Sequence, residues 1–213
     1  MTDFIRARSD EQKGQRMAEI KQATAELFAE HPYHEITLAA IAEHLGWSRA
    51  ALYKYVTTKE EIFLELCADA QDAYTADLLA AYPEGSAYSP AVLAEVWTEQ
   101  LVSHRDYFRY SDLLFTIIET NCTVERLAAF KARYYAGQDA LVARFSHNLS
   151  ADPERVAQML FSVWCHAVGA SGWCQENPLV IEAVELAGLA RRTIDFRTEM
   201  RDFTGMCLSH YTR

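Results

Sequence analysis

Apolar residues recur every three or four positions along almost the whole of this chain, and sustained alternation of apolar and polar residues is rare. The first pattern is typical of α-helices with one buried face, whereas strands favour alternation. Only 8 glycines and 5 prolines interrupt the 213 residues, so positions that favour turns are few. The sequence therefore predicts an all-α fold of about nine or ten helices.

The first part of the chain carries start and stop signals for three helices. The first is expected over residues 11–30, and Thr37 can cap the second, which Gly46 ends because glycine readily adopts a positive φ. Ser48 then caps a short third helix that reaches about Tyr55. A glycine-containing turn between the second and third helices predicts a helix-turn-helix unit.

Longer helices are predicted beyond Thr58. They are a fourth over residues 59–81, a fifth opened by Ser89 and Pro90, a sixth over 105–120, a seventh that begins after Thr123 and reaches Ser146, an eighth capped by Asp152 with Pro153 in its first turn, a short ninth after Pro178, and a last one over 195–210.

An ordered set of residues with a recognisable spacing runs through the predicted helix-turn-helix. It comprises a threonine that opens the second helix, an Ile-Ala pair, a Leu-Gly turn, a serine that opens the third helix, a Leu-Tyr pair and a lysine that opens the fourth: Thr37, Ile41, Ala42, Leu45, Gly46, Ser48, Leu52, Tyr53 and Lys59. Over residues 11–64 the chain resembles the DNA-binding domain of the tetracycline-repressor family (TetR, AcrR-like). Two positions depart from the family pattern, since Tyr55 replaces the usual His and Val56 the usual Phe.

The resemblance implies a helix-turn-helix DNA-binding domain over residues 1–57 and a larger helical ligand-binding and dimerisation domain over residues 58–213. A helix in the major groove exposes polar or small side chains to base edges. Arg49 is the best candidate for reading a guanine, and Ala51 leaves room for a thymine methyl group. The full set of candidate DNA-binding residues is Thr37, Ser48, Arg49, Ala51, Tyr53, Lys54, Tyr55 and Lys59.

Each of these residues also has a plainer interpretation. Thr37 and Ser48 are helix caps whatever else they do, and Arg49 and Lys54 would elsewhere be ordinary solvated charges. Thr37 and Lys59 stand at helix N-termini, where the helix dipole favours a phosphate. Trp47 is interpreted as a packing residue and not as a base reader.

The predicted eighth helix has too little polar surface to stand free, and its small residues permit another helix to approach closely. In the TetR family the corresponding helix and the last one pair with their symmetry mates, so the resemblance implies a homodimer. An alternative is that the helix is an intrachain core element. The candidate interface residues are Phe161, Cys165, Gly169, Gly172 and Phe203.

Family members usually hold a small-molecule pocket in the larger domain, and aromatic residues are dense there. The candidate pocket residues for an effector of unknown identity are Trp97, Phe108, Phe115, Glu119, Tyr134 and Trp164. Aromatic residues at helical spacing are more often plain core. Glu119 follows an apolar helical stretch and could anchor a ligand, or it could serve as a cap or an ion-pair partner.

Charge and cysteine content exclude several classes of function. A net charge of −10 argues against sequence-independent nucleic-acid binding but permits one local basic face. The five cysteines form no C-x-x-C pair, so we expect no metal and no disulfide framework, and a reducing cytoplasm. No signal peptide or membrane span is apparent, and motif searches find no metal, nucleotide or nucleophile signature, so we expect no cofactor, no membrane contact and no enzymatic activity.

These features predict a sequence-specific transcriptional regulator, a homodimeric repressor that a small-molecule effector releases from a near-palindromic operator. The alternatives are an activator, or an adaptor that keeps the fold and binds a protein. A helical enzyme or metal carrier is the rival from another class, but a di-iron bundle needs Glu-x-x-His pairs and this sequence has none.

Overall fold

The structure is a computed structural model that describes residues 2–175 and 177–212, with side chains from residue 11 onwards. The described residues form helices and connecting segments without a strand, which confirms the predicted all-α fold. The α-helices are α1 (Thr2–Glu30), α2 (Leu38–His44), α3 (Arg49–Leu52), α4 (Lys59–Ala81), α5 (Pro90–Ser103), α6 (Arg105–Leu113), α7 (Val124–Leu149), α8 (Pro153–Trp173), α9 (Pro178–Leu186) and α10 (Phe196–Tyr211).

Several predicted helix bounds differ from the structure, and α7 ends at Leu149, three residues beyond the predicted Ser146. α1 begins well before residue 11, and α3 ends at Leu52, so the predicted extension to Tyr55 is a turn. The predicted sixth helix stops at Leu113 and continues as a π-helical segment, Leu114–Ile118, and a 3-10 turn, Glu119–Asn121. This stretch contains the β-branched residues 116–118, which fit an α-helix less well than unbranched residues.

The turn between α2 and α3 is a complete Schellman motif. The Trp47 amide donates to the Ala42 carbonyl at 2.8 Å, and the Gly46 amide donates to the Glu43 carbonyl at 3.0 Å. Gly46 has a φ of +66°, which side chains with a Cβ adopt only at a cost. The glycine therefore stops α2 and directs the chain into α3.

The chain divides into two compact units. The first unit comprises residues 1–69 and 113–131, and the second comprises residues 70–112 and 132–213. In the first unit Ile20, Ile41, Leu52 and Phe63 are fully buried. In the second, α10 packs against α5 and α8, and the Trp97 indole donates to the Tyr74 hydroxyl at 2.8 Å within an aromatic core.

The backbone at Gly46 gives a test of the turn. Gly46→Ala should lower the free energy of unfolding by about 1 kcal/mol, because a Cβ destabilises the left-handed conformation. Gly14→Ala is the matched control, since neither glycine has an atom within 4 Å of its would-be Cβ but Gly14 lies within α1. The control should raise that free energy by about 0.5–1 kcal/mol in urea unfolding. Shifts of the same sign in the two variants would contradict this account of the turn.

Candidate nucleic-acid interface

The short helix α3 is held by capping and by burial of one face. The Ser48 hydroxyl accepts a hydrogen bond from the Ala51 amide at 3.2 Å, and Thr37 caps α2 in the same way through the Ala40 amide at 3.1 Å. Leu52 and Val56 are buried on the inner face. Both predicted caps are therefore present, and Leu52 and Val56 anchor the inner side of α3 and the turn that follows it.

The opposite face of this helix-turn-helix is exposed. Five of the eight predicted DNA-binding residues are exposed there: Thr37, Ser48, Arg49, Tyr53 and Lys54. The other three are partly buried: Ala51, Tyr55 and Lys59. The eight predicted DNA-binding residues thus belong to one helix-turn-helix and its flanks, with polar side chains outward and the apolar anchors inward. This is the distribution of groups that major-groove reading needs.

Lys59 has a structural role besides any contact with DNA. Its ammonium group donates to the carbonyls of Tyr33 and Ile36, each at 2.8 Å, and lies 3.8 Å from the centre of the Tyr33 ring. Burial lowers the pKa of the Lys59 ammonium group. Two of its three protons are therefore used to fix the start of α4 to the segment that precedes α2.

The turn after α3 is fixed by a buried carboxylate. Glu61 is 3 % exposed, and its carboxylate accepts hydrogen bonds from the Thr57 amide at 2.9 Å and the Thr57 hydroxyl at 3.0 Å. The Arg126 guanidinium lies 3.3 Å from this carboxylate through Nε, and its Nη2 donates to the Tyr55 carbonyl at 3.4 Å. A residue of α7 thus holds both sides of the turn that follows α3. Sequence reasoning missed Arg126 because nothing in a local pattern pairs residues so far apart.

A second missed residue, Arg16 of α1, lies beside this helix-turn-helix. Its guanidinium carbon is 5.0 Å from the centre of the Trp47 ring, and that ring lies 6.1 Å from the Tyr55 ring. Trp47 is half-buried in these contacts, in keeping with its interpretation as a packing residue. A notch of about 310 Å³ is lined by Arg16, Trp47, Ala51, Lys54 and Tyr55.

Two family models match this chain. The model described as bacterial regulatory proteins, tetR family, matches residues 20–66, which contain the helix-turn-helix. The model described as tetracyclin repressor-like, C-terminal domain, matches residues 68–209, more than half of the chain. The chain belongs to the TetR family. TetR-family proteins are DNA-binding transcriptional regulators and not enzymes, so the predicted family and the predicted non-enzymatic function are confirmed.

Solved structures of TetR-family regulators share this fold. A TetR/AcrR-family regulator from Thermobifida fusca YX-ER1 is 18% identical with a TM-score of 0.55, over 93% of this chain and 100% of that chain. PfmR from Thermus thermophilus is 19% identical with a TM-score of 0.60, over 89% and 97% of the two chains. A tetR-family protein from Rhodococcus RHA1 is 16% identical with a TM-score of 0.61, over 91% and 95%. No curated protein sequence matches the chain significantly.

The six residues predicted for a TetR-type effector pocket are divided between the two units. Phe115 and Glu119 belong to the first, where Phe115 is 53% exposed and Glu119 accepts a hydrogen bond from Lys131 at 2.5 Å. The other four belong to the second unit: Trp97, Phe108, Tyr134 and Trp164. Trp97 and Phe108 are buried there in the aromatic core. Their role in ligand binding stays a prediction.

A larger cavity lies elsewhere in the second unit, at the C-terminal end of α8. Its volume is about 940 Å³, and its walls are this end of α8, the helix α9 and the segment 189–194. Its lining includes the apolar residues Val180, Ile181 and Val184 of α9 and the two arginines Arg191 and Arg192. The apolar run at residues 179–181 is the sequence signal that could have indicated this cavity. α9 buries none of its residues, so its apolar side chains remain accessible to line a cavity.

The residues predicted for the dimer interface lie on one exposed stripe of α8 and beside it on α10. Phe161 is 57% exposed, and Cys165, Gly169 and Gly172 are exposed at successive turns of the same helix. Phe203 of α10 is half-buried and stacks on the His166 ring at 3.8 Å. No atom lies within 4 Å of a Cβ built on either glycine, so another helix has room to approach this stripe.

Two further findings concern only the part of the chain that the structure describes. None of its helices is long and apolar enough to cross a membrane. No group of three or more His, Cys, Asp or Glu side chains in those residues is arranged to hold a metal ion.

The contact between Arg126 and Glu61 can be tested through stability. Arg126→Met should lower the free energy of unfolding by about 1–3 kcal/mol, because it removes the cation beside a buried carboxylate. Arg133→Met is the matched control on the same helix, since its partner Asp72 is half exposed and such pairs contribute about 0–1 kcal/mol. Urea unfolding of Glu61→Gln, Arg126→Met and the double variant completes the cycle. Losses that simply add would contradict direct coupling of the two residues.

Proposed function

We propose that this TetR-family regulator is a homodimeric repressor that binds a near-palindromic operator and is released from it by a small-molecule effector. The observation that carries the proposal is the capped helix α3 with the turn that follows it, which together bury Leu52 and present Arg49 and Lys54 outward. Binding of operator DNA in the cytoplasm is the function that this face supports best.

Base reading is assigned to α3. Arg49 is exposed in its first turn, and a guanidinium can donate two hydrogen bonds to the O6 and N7 atoms of one guanine. Ala51 is small enough to let the helix approach a thymine methyl group. The remaining residues of the proposed interface are assigned to the DNA backbone, where contacts with phosphates set the register of a protein on the duplex. They are Thr37, Ser48, Tyr53, Lys54, Tyr55 and Lys59.

The exposed stripe on α8 supports the homodimer. A four-residue recognition helix reads only a few base pairs, so two copies related by a twofold axis are needed for useful specificity. Phe161, Cys165, Gly169 and Gly172 give each copy an apolar, closely approachable face, and Phe203 continues it on α10. The two reading helices then meet half-sites about one helical turn, or roughly 34 Å, apart.

Release by an effector follows from linkage. The dimer can adopt a second form in which its two reading helices are no longer at operator spacing. A ligand that binds this second form more tightly than the DNA-binding form lowers the affinity for DNA, at most by the ratio of its affinities for the two forms. In this proposal residues 1–57 bind DNA and residues 58–213 bind effector and partner. α4, Lys59–Ala81, is the first helix of the second part, and its first residue, Lys59, belongs to the proposed DNA-binding set. The candidate residues for effector binding remain the six predicted pocket residues. The cavity between α8 and α9 is a second candidate site, because its volume of about 940 Å³ is within the usual range of ligand sites, roughly 300–1,000 Å³.

Selection of bound sequences from a random DNA library at near-physiological salt tests the proposal. We expect enrichment of a near-palindrome with two half-sites, because two copies of α3 read it. Enrichment of a single, non-repeated half-site would argue against the dimeric reader. Absence of enrichment would favour the adaptor interpretation, and operator binding that increases expression of a reporter would favour an activator.

Arg49→Lys sharpens the same selection. Lysine keeps the charge but loses the planar fork, so one base position in each half-site should become less specific by about 1–3 kcal/mol. The other positions of the motif should keep their preferences. Uniform weakening at every position would instead make Arg49 a phosphate contact.

The dimer face is tested by Phe161→Arg. A charge at the centre of a twofold interface meets its own copy, so the dimer dissociation constant should rise at least about tenfold and operator binding should fall with it. Val92→Arg is the matched control, because Val92 is 48% exposed on α5, comparable to Phe161 at 57%. Sedimentation equilibrium measures both variants. Equal effects, or a dimer that persists in Phe161→Arg, would remove α8 from the interface.

A further inference from the structure

We propose that Arg16 of α1 is an additional DNA-binding residue, which with Lys54 and Tyr55 forms a seat for one phosphodiester group of the DNA backbone. The inference rests on the proposed function and extends the DNA-binding face beyond the helix-turn-helix itself. The observations that carry it are the notch of about 310 Å³ between these residues and the stacking of Arg16 on Trp47.

Trp47 positions the Arg16 guanidinium through a cation–π contact. The guanidinium carbon lies 5.0 Å from the centre of the indole ring, within the range of cation–π contacts. Its Nη1 atom donates to the Glu19 carboxylate at 2.8 Å. Among the described residues Glu19 is the only one that forms a hydrogen bond or ion pair with Arg16, so the other guanidinium nitrogens remain available. Half of the Arg16 side chain is exposed to solvent.

The other residues of the notch complete a site for an anion. Lys54 is exposed, and Tyr55 is half-buried with its ring 6.1 Å from that of Trp47. A guanidinium fork, an ammonium group and a phenolic hydroxyl are all donors that phosphate oxygens accept. The notch therefore offers donors from α1 and from the turn after α3 to a single tetrahedral anion.

The position of the notch favours a backbone phosphate over a base. Ala51 of α3 forms part of its wall, so the seat lies directly beside the helix assigned to base reading. Backbone phosphates line both edges of the groove that such a helix enters, and contacts with them fix its register. In a chain of net charge −10, attraction to DNA has to come from local groups of this kind.

The salt dependence of DNA binding tests the seat. Each phosphate contact contributes about 0.9 to the slope of log K against log salt concentration. Arg16→Ala should therefore lower the magnitude of the slope by about 0.9 for each protomer, or about 1.8 for a dimer on its operator. The loss of affinity should be equal on the selected operator and on a scrambled duplex, since phosphates carry no sequence information. Arg16→Lys should keep the slope.

Arg133→Ala is the charge-matched control, because it removes the same charge from the second unit and should leave the slope unchanged. Circular dichroism establishes that each variant is folded. A wild-type slope in Arg16→Ala, or a loss confined to the operator, would overturn the proposal. These outcomes differ from failure of the proposed function, in which the wild-type protein itself selects no sequence.

A separate arm distinguishes DNA phosphate from free phosphate. Binding of inorganic phosphate to the wild-type protein and to Arg16→Ala is measured without DNA, with phosphate replacing chloride at constant ionic strength. We expect no saturable binding, because a free phosphate ion lacks the further contacts that a duplex makes with α3. Saturable binding that Arg16→Ala abolishes, together with an unchanged salt slope of DNA binding in that variant, would assign the notch to a free anion and overturn the DNA assignment.

Discussion

The recognition helix depends on support from outside itself. An isolated segment as short as α3, Arg49–Leu52, cannot form a stable helix in water, because nucleation costs more than its few hydrogen bonds return. Its order comes from burial of Leu52 and Val56 and from the Ser48 cap. The carboxylate of Glu61 then fixes the turn that follows. Every function assigned to Arg49 requires these contacts to persist.

Part of that support comes from a distant stretch of sequence. Arg126 lies within the residues matched by the C-terminal family model, yet residues 113–131 pack in the same compact unit as the helix-turn-helix. Its guanidinium contacts both Glu61 and the Tyr55 carbonyl, on either side of the turn after α3. The compact unit that presents α3 therefore includes a segment that the C-terminal family model matches. The boundary between the two family models and the boundary between the two compact units are not the same.

The features predicted correctly from sequence are those that local chemistry decides. Thr37, Ser48 and Asp152 cap helices because their side chains accept from amides two or three residues ahead, and Gly46 ends α2 because of its φ. The end of the sixth helix was predicted wrongly, because periodicity does not distinguish an α-helix from the π-helical segment that continues it. Arg16 and Arg126 were missed because their partners are distant in sequence. The two hydrogen bonds of Lys59 to the carbonyls of Tyr33 and Ile36 were missed for the same reason.

An acidic protein can bind acidic DNA when some of its cations are not paired with its own carboxylates. Lys21 pairs with Asp69, Arg126 with Glu61 and Lys131 with Glu119, so these three cations neutralise carboxylates of the protein itself. Arg49 and Lys54 form no ion pair with any residue that the structure describes. In the proposed complex, the positive charge that DNA meets therefore comes from Arg49 of α3, Lys54 in the turn after it, Lys59 of α4 and Arg16 of α1. Because the net charge of the chain is −10, a duplex gains attraction where these cations reach it and is repelled by acidic surface elsewhere, and this difference favours specific over non-specific binding.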